Sequence, residues 1–115
     1  MNTNNKKNIV IKIGTTSIIK NNKVDITLLK SLAELIIENK NKFNFVIVTS
    51  GAVGLGATKL NYKSRPKSLK RLQVASAVGQ IELINQYEKI FKDKKMNIAQ
   101  VLITKNLIDD REQFI

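Results

Sequence analysis

Phe45-Val46-Ile47-Val48-Thr49-Ser50-Gly51-Ala52-Val53-Gly54-Leu55-Gly56 is the stretch on which the fold turns. Its apolar run is continuous rather than alternating, the pattern of a parallel strand covered on both faces, and it reads as a buried, central strand. After Val48 the residues shrink to Thr49, Ser50, Gly51 and Ala52, and an amphipathic pattern takes over, so the loop becomes the start of a helix. Free backbone N–H groups and the helix dipole meet there and favour a phosphate or a carboxylate. Gly51 and Gly54 let that backbone come close to a ligand. An ordinary tight strand-to-helix turn accounts for this stretch, taken alone, equally well.

Around this element lie 115 residues, one domain or part of one, with a hydrophobic fraction of 43% that argues against disorder. Cysteine and histidine are both absent. Disulfides, thiolate metal sites, histidine bases and cysteine nucleophiles are thereby excluded. Residues 1–8 form a polar tail, and the apolar run Ile9 to Ile13 is too short for a signal-peptide core or a membrane span. A cytoplasmic location is expected. Lys and Arg number 20 against nine acids, for a formal charge of +11, but most of the excess is lysine scattered among Asn and Ile and reads as a solvated surface. Lys59, Lys63, Arg65, Lys67, Lys70 and Arg71 form one cluster without an intervening acid. It suits a polyanionic nucleotide or an acidic substrate, and equally a solvated loop.

Toward the N-terminus, Ile9-Val10-Ile11-Lys12-Ile13 is a short strand with one charge inside it. A lysine there needs a partner or a solvated cleft. With Gly14-Thr15-Thr16-Ser17 following, Lys12 is read as aimed into the same crevice as Ser50 and Gly51, because ligands of open parallel sheets bind beyond the strands' carboxyl ends; the alternative is a lysine snorkelling from an edge strand. A turn is expected at Asn21-Asn22, then a helix capped by Asp25 whose stripe is Leu28, Leu29, Leu32, Leu35 and Ile36. The helix after Gly51 should run to about Leu60, and a basic loop holding Pro66 should follow. A second, long helix is expected over 68–91; its middle, Val74 to Ile84, is apolar nearly all round and should be covered on more than one side. Ile98 to Ile103 reads as a third strand, and Asp109-Asp110 as the cap of a helix cut after one turn. The order implies a three-layer αβα fold with a mainly parallel sheet, of which 1–115 is the front part.

No P-loop is present, and the glycines at 51, 54 and 56 are spaced in the wrong order for a dinucleotide fingerprint. The few aromatics do not interleave with the basic loop, which disfavours nucleic acid. A lysine and two glycine-containing turns remain, and phosphoryl transfer asks mainly for such positioning and neutralisation.

Taken together, Lys12-Ile13-Gly14-Thr15-Thr16-Ser17, Ile47 to Val53, Val74-Ala75-Ser76-Ala77-Val78-Gly79-Gln80, Gln100 to Thr104 and Asp110 to Phe114 resemble, in order and spacing, the amino-terminal half of the glutamate-phosphorylating members of the amino acid kinase family. The resemblance implies ATP-dependent phosphorylation of the L-glutamate side-chain carboxylate to γ-glutamyl phosphate, the first step toward proline. Lys12 matches the lysine that stabilises the transferring phosphoryl group. Gly14 and Thr15 match the phosphate-binding turn, and Ser50, Gly51 and Ala52 match the loop that holds glutamate. ATP and Mg2+ are the implied cofactors, with most of their site beyond residue 115, and no metal ligand is assigned here. The family's catalytic aspartates also lie further on; Asp109 and Asp110 do not match them. The 115 residues alone are therefore expected to be inactive and, through the 68–91 helix, to form a homo-oligomer. The alternatives are a non-catalytic glutamate- or phosphate-binding or interaction module, or another member of the family.

Overall fold

A computed structural model of the chain describes residues 5–103. Its elements are β1 (Lys7–Ile13), α1 (Thr15–Ile18), β2 (Ile19–Lys20), β3 (Lys23–Val24), α2 (Ile26–Asn39), β4 (Phe43–Thr49), α3 (Ala52–Lys59) and α4 (Leu69–Asp93). The strand β1 takes in Lys7 and Asn8 of the expected polar tail, and the Asn44 amide donates to Asn8 Oδ1 at 3.2 Å across the ladder. The reading of Asp109-Asp110 as the cap of a helix cut after one turn lies outside the described residues.

Parallel pairing of β1 with β4 runs from Lys7 opposite Phe43 to Ile13 opposite Thr49. Between them, β2 and β3 make a small antiparallel hairpin whose turn is Asn21-Asn22, with φ of 52° and 61°. Two positive φ values suit the twist of a tight hairpin, and asparagine tolerates them better than most residues. The Asp25 side chain then accepts from Leu28 N–H at 3.2 Å and starts α2, while Lys20 Nζ lies 3.1 Å from its other oxygen. Leu29, Leu32, Ala33 and Ile36 form the buried stripe of α2. Leu35, expected in that stripe, is half exposed.

Ser68 caps α4 by accepting from Arg71 N–H at 3.2 Å. Ala75, Gly79, Leu83, Tyr87, Ile90 and Phe91 then recur at helical spacing and are buried. The lower half of this face joins α2 and the inner face of the sheet in one core, with Ile18, Leu29 and Leu83 fully buried. Burial of such a side chain contributes about 1.5–3 kcal/mol. The upper half crosses α3 so closely that a Cβ on Gly56 would sit 1.7 Å from the Ala75 carbonyl oxygen, and one on Gly79 1.7 Å from that of Ala52. Only glycine at both positions lets the two backbones meet.

Three expectations are corrected. Ile98 to Ile103 is not a strand: Met96 and Ile98 pack against the core, while Val101, Leu102 and Ile103 are exposed without ladder hydrogen bonds. A strand needs a partner edge as well as β-branched residues. The central position of β4 fails for the same reason, since among the described residues it pairs with β1 alone. Ile11, Ile13, Phe45 and Ile47 face the helices, whereas Val10, Val46 and Val48 are 64%, 52% and 47% exposed. Continuous apolarity therefore marks a sheet with one covered and one open face in this structure. Similarly, the middle of α4 is covered by α3 on one side, and Val74 and Ile81 on its other sides are exposed.

Candidate functional site

The carboxyl ends of β1 and β4 lie side by side, because Ile13 pairs with Thr49 and Ser50 N–H donates to the Ile13 carbonyl at 3.1 Å. That bond ties the turn at Gly14 to the turn at Ser50. All six residues singled out in the sequence, Lys12, Gly14, Thr15, Ser50, Gly51 and Ala52, therefore come to one edge of the sheet. Lys12 is opposite Val48 and exposed on the outer face, and it makes no hydrogen bond or ion pair among the described residues. Its charge is available to something else.

Gly51 caps α3 with φ of 109°, a conformation that strains any residue with a Cβ. The first bond of that helix runs from Leu55 N–H to the Gly51 carbonyl at 3.1 Å. Ala52, Val53 and Gly54 consequently offer N–H groups that have no carbonyl partner within the helix, the arrangement that draws an anion. Gly14 is different: its φ of −78° suits any residue, and nothing lies within 4 Å of where its Cβ would be. Neither backbone nor packing requires glycine there, and the space it leaves opens beside Thr15.

One part of the site was not read from the sequence. Tyr87, within the long helix expected over 68–91, is 4% exposed and its hydroxyl donates to Thr49 Oγ1 at 2.9 Å. Thr49 Oγ1 in turn donates to the Ser50 carbonyl at 3.4 Å. Burial pushes the Tyr87 phenol up, and the bond to Thr49 offsets this only in part, so the phenol stays a donor at neutral pH. A tyrosine on an otherwise apolar helical stripe was the available signal, since a buried phenol must find a partner.

The basic cluster lies elsewhere. Tyr62, Lys63, Arg65, Lys67 and Arg71 line an open concavity of about 560 Å³ between α3 and α4, and the Arg71 guanidinium sits 5.9 Å from the centre of the Tyr62 ring. A second concavity, of about 420 Å³, lies between Val53 and the Gln73, Ala77 and Gln80 side of α4. Neither includes Lys12, Gly14 or Ser50. Among the described residues no three His, Cys, Asp or Glu side chains come together as a metal site, and no helix is long and apolar enough to cross a membrane.

Comparison with known proteins bears on the chain as a whole. Residues 7–114 match the description "Amino acid kinase family". A protein named glutamate 5-kinase from Prochlorococcus marinus subsp. pastoris (strain CCMP1986 / NIES-2087 / MED4) is 49% identical over 114 residues, which cover 94% of this chain and 31% of that protein. The proteins of the same name from Clostridium tetani (strain Massachusetts / E88) and Lactococcus lactis subsp. lactis (strain IL1403) are 37% and 35% identical, each over 90% of this chain and 40% and 39% of their own lengths. The chain thus spans about a third of the length of the curated relatives it matches.

Proposed function

The chain belongs to the amino acid kinase family, and from that premise we propose that its crevice serves the ATP-dependent phosphorylation of the L-glutamate side-chain carboxylate to γ-glutamyl phosphate, a cytoplasmic step toward proline. One observation carries the reading: the Ser50 to Ile13 hydrogen bond sets the free Lys12 charge, the open Gly14 turn and the unpaired N–H groups of α3 at one sheet edge. Two anionic groups must meet in this reaction, and their mutual repulsion is the first obstacle. Lys12 neutralises charge on the transferring phosphoryl oxygens, Gly14 and Thr15 receive phosphate at their turn, and Ser50, Gly51 and Ala52 hold the acceptor substrate. Mg2+ bound with ATP neutralises further phosphate charge; the described residues bring no ligand set for it. Residues 1–115 by themselves are proposed to be inactive, consistent with their coverage of about a third of the relatives.

The test is a hybrid in which residues 7–114 replace the aligned segment of the Prochlorococcus relative. Glutamate-dependent ADP formation is expected from the hybrid and not from the 115-residue chain, and Lys12→Ala in the hybrid should lower kcat by at least about 100-fold, in line with the loss of a charge-stabilising donor. A folded Lys12→Ala hybrid with unchanged kcat would exclude this role for Lys12.

A further inference from the structure

The long helix α4 reaches the crevice by a route that involves no ligand-facing residue. Tyr87 Oη donates to Thr49 Oγ1, whose single proton is then left to donate to the Ser50 carbonyl. The Ser50–Gly51 peptide is trans, so its N–H points opposite to its carbonyl. With that carbonyl held by the Thr49 hydroxyl, the Gly51 N–H points the opposite way along the peptide; Gly51 is buried beside Ile18 and Ile19, and its N–H has no partner among the described residues. Two further features hold the same peptide from its ends. Ser50 N–H is fixed to Ile13, and the φ of 109° at Gly51 sets the direction in which α3 departs.

We infer that Tyr87 is a positioning residue: through the Thr49 hydroxyl it fixes the orientation of the Ser50–Gly51 peptide, so that the Gly51 N–H joins those of Ala52 and Val53 as a donor to the substrate carboxylate. This rests on the crevice being the glutamate site. Without the Tyr87 hydroxyl, Thr49 can rotate and satisfy itself elsewhere, and the peptide is free to flip its N–H out of line. Burial adds weight to the assignment, since a phenol that only filled space here would be served by phenylalanine without the need to satisfy a hydroxyl.

The experiment uses the full 115-residue chain, labelled with ¹⁵N, and the variants Tyr87→Phe, Thr49→Val and Thr49→Ser. In Tyr87→Phe and Thr49→Val the Gly51 amide resonance should move while the remaining spectrum stays dispersed; Thr49→Ser, which keeps the hydroxyl, should retain the wild-type position. Titration with L-glutamate, read at the Gly51 amide, should give a Kd about five- to tenfold higher in the first two variants, the effect of one misaligned hydrogen bond. Thr49→Ser should match the wild type, and the Tyr87→Phe/Thr49→Val double variant should be no weaker than either single one. A space-filling role predicts a lower melting temperature with the Gly51 amide and the Kd unchanged, and that result overturns the inference. A wild-type chain whose Gly51 amide ignores L-glutamate refutes the crevice assignment instead, while the response of that amide to Tyr87→Phe still decides whether Tyr87 positions the peptide. If Tyr87→Phe loses its dispersed spectrum, Thr49→Val against Thr49→Ser makes the same decision.

Discussion

The two ends of α3 carry the two regions that could attract an anion, and they are built in opposite ways. At its N-terminus the loop from Thr49 to Gly51 contains no charge, yet its groups are fixed by the Tyr87, Thr49 and Ile13 hydrogen bonds and by a left-handed glycine. At its C-terminus the chain leaves through Asn61, at φ of 61°, into a loop with Lys63, Arg65 and Lys67, all exposed and none ion-paired among the described residues. Charge is plentiful at the second end and placement at the first. Recognition of one small carboxylate depends on placement, because solvated surface charges are screened within about 8–10 Å.

The sharpest way to break this contrast is to detach α3 itself. Gly56→Ala puts a methyl group where 1.7 Å separates it from the Ala75 oxygen, and should cost about 3 kcal/mol in urea unfolding, the upper part of the range for overpacking. Gly54→Ala, with nothing within 4 Å, should instead stabilise the chain by up to about 1 kcal/mol through helix propensity. Equal effects of the two would contradict the helix crossing described here. A second comparison sets Ser50→Ala against a triple Lys63→Gln, Arg65→Gln, Lys67→Gln variant. The first should raise the Kd for L-glutamate by about tenfold, the loss of one hydrogen bond to a charged group. The second should change it by less than about twofold, and not at all at 0.5 M salt, where the Debye length falls to about 4–5 Å; a larger effect from the triple variant would make the basic loop the primary anion site.

Acid gives the smallest effect and contrasts a paired cation with the unpaired ones. The hydrogen bond from Lys20, then that from Leu28 N–H, holds the Asp25 carboxyl below its ordinary value of 3.8. Because the folded value is the lower one, this stabilisation is complete above about pH 4 and is lost as pH falls through the folded value. Thermal unfolding followed from pH 5 to pH 2 should show a decline that Asp25→Asn flattens. No acid lies within residues 59–71 to titrate in the same window.

Much of this was legible because it is local. Asp25 and Ser68 announce their helices by capping chemistry, Asn21-Asn22 announces the hairpin turn, and the shrinkage from Val48 to Gly51 announces the turn from β4 into α3. What stayed hidden depends on residues distant in sequence. Nothing near Ile98 tells whether a strand edge waits for it. The alternation between Ile47, packed on the core, and Val48, 47% exposed, cannot be read from two apolar residues. Gly56 and Gly79, 23 residues apart, need each other's helix to explain them. The hydroxyls of Tyr87 and Thr49 meet across 38 residues.

The close approach of Gly79 to Ala52 and the bond from Tyr87 to Thr49 both fall on α4, eight residues or about 12 Å apart along its axis. Between them they grasp the junction of β4 and α3 as two jaws of a spanner grasp a nut. A rod held at two points cannot slide or roll independently of what it holds. Ala75, buried against Gly56, adds a third hold one turn further on, and only the stretch from Ala75 back to Ser68, about 10 Å, projects toward the basic loop. The two ends of α3, unlike in construction, therefore rest on the same helix.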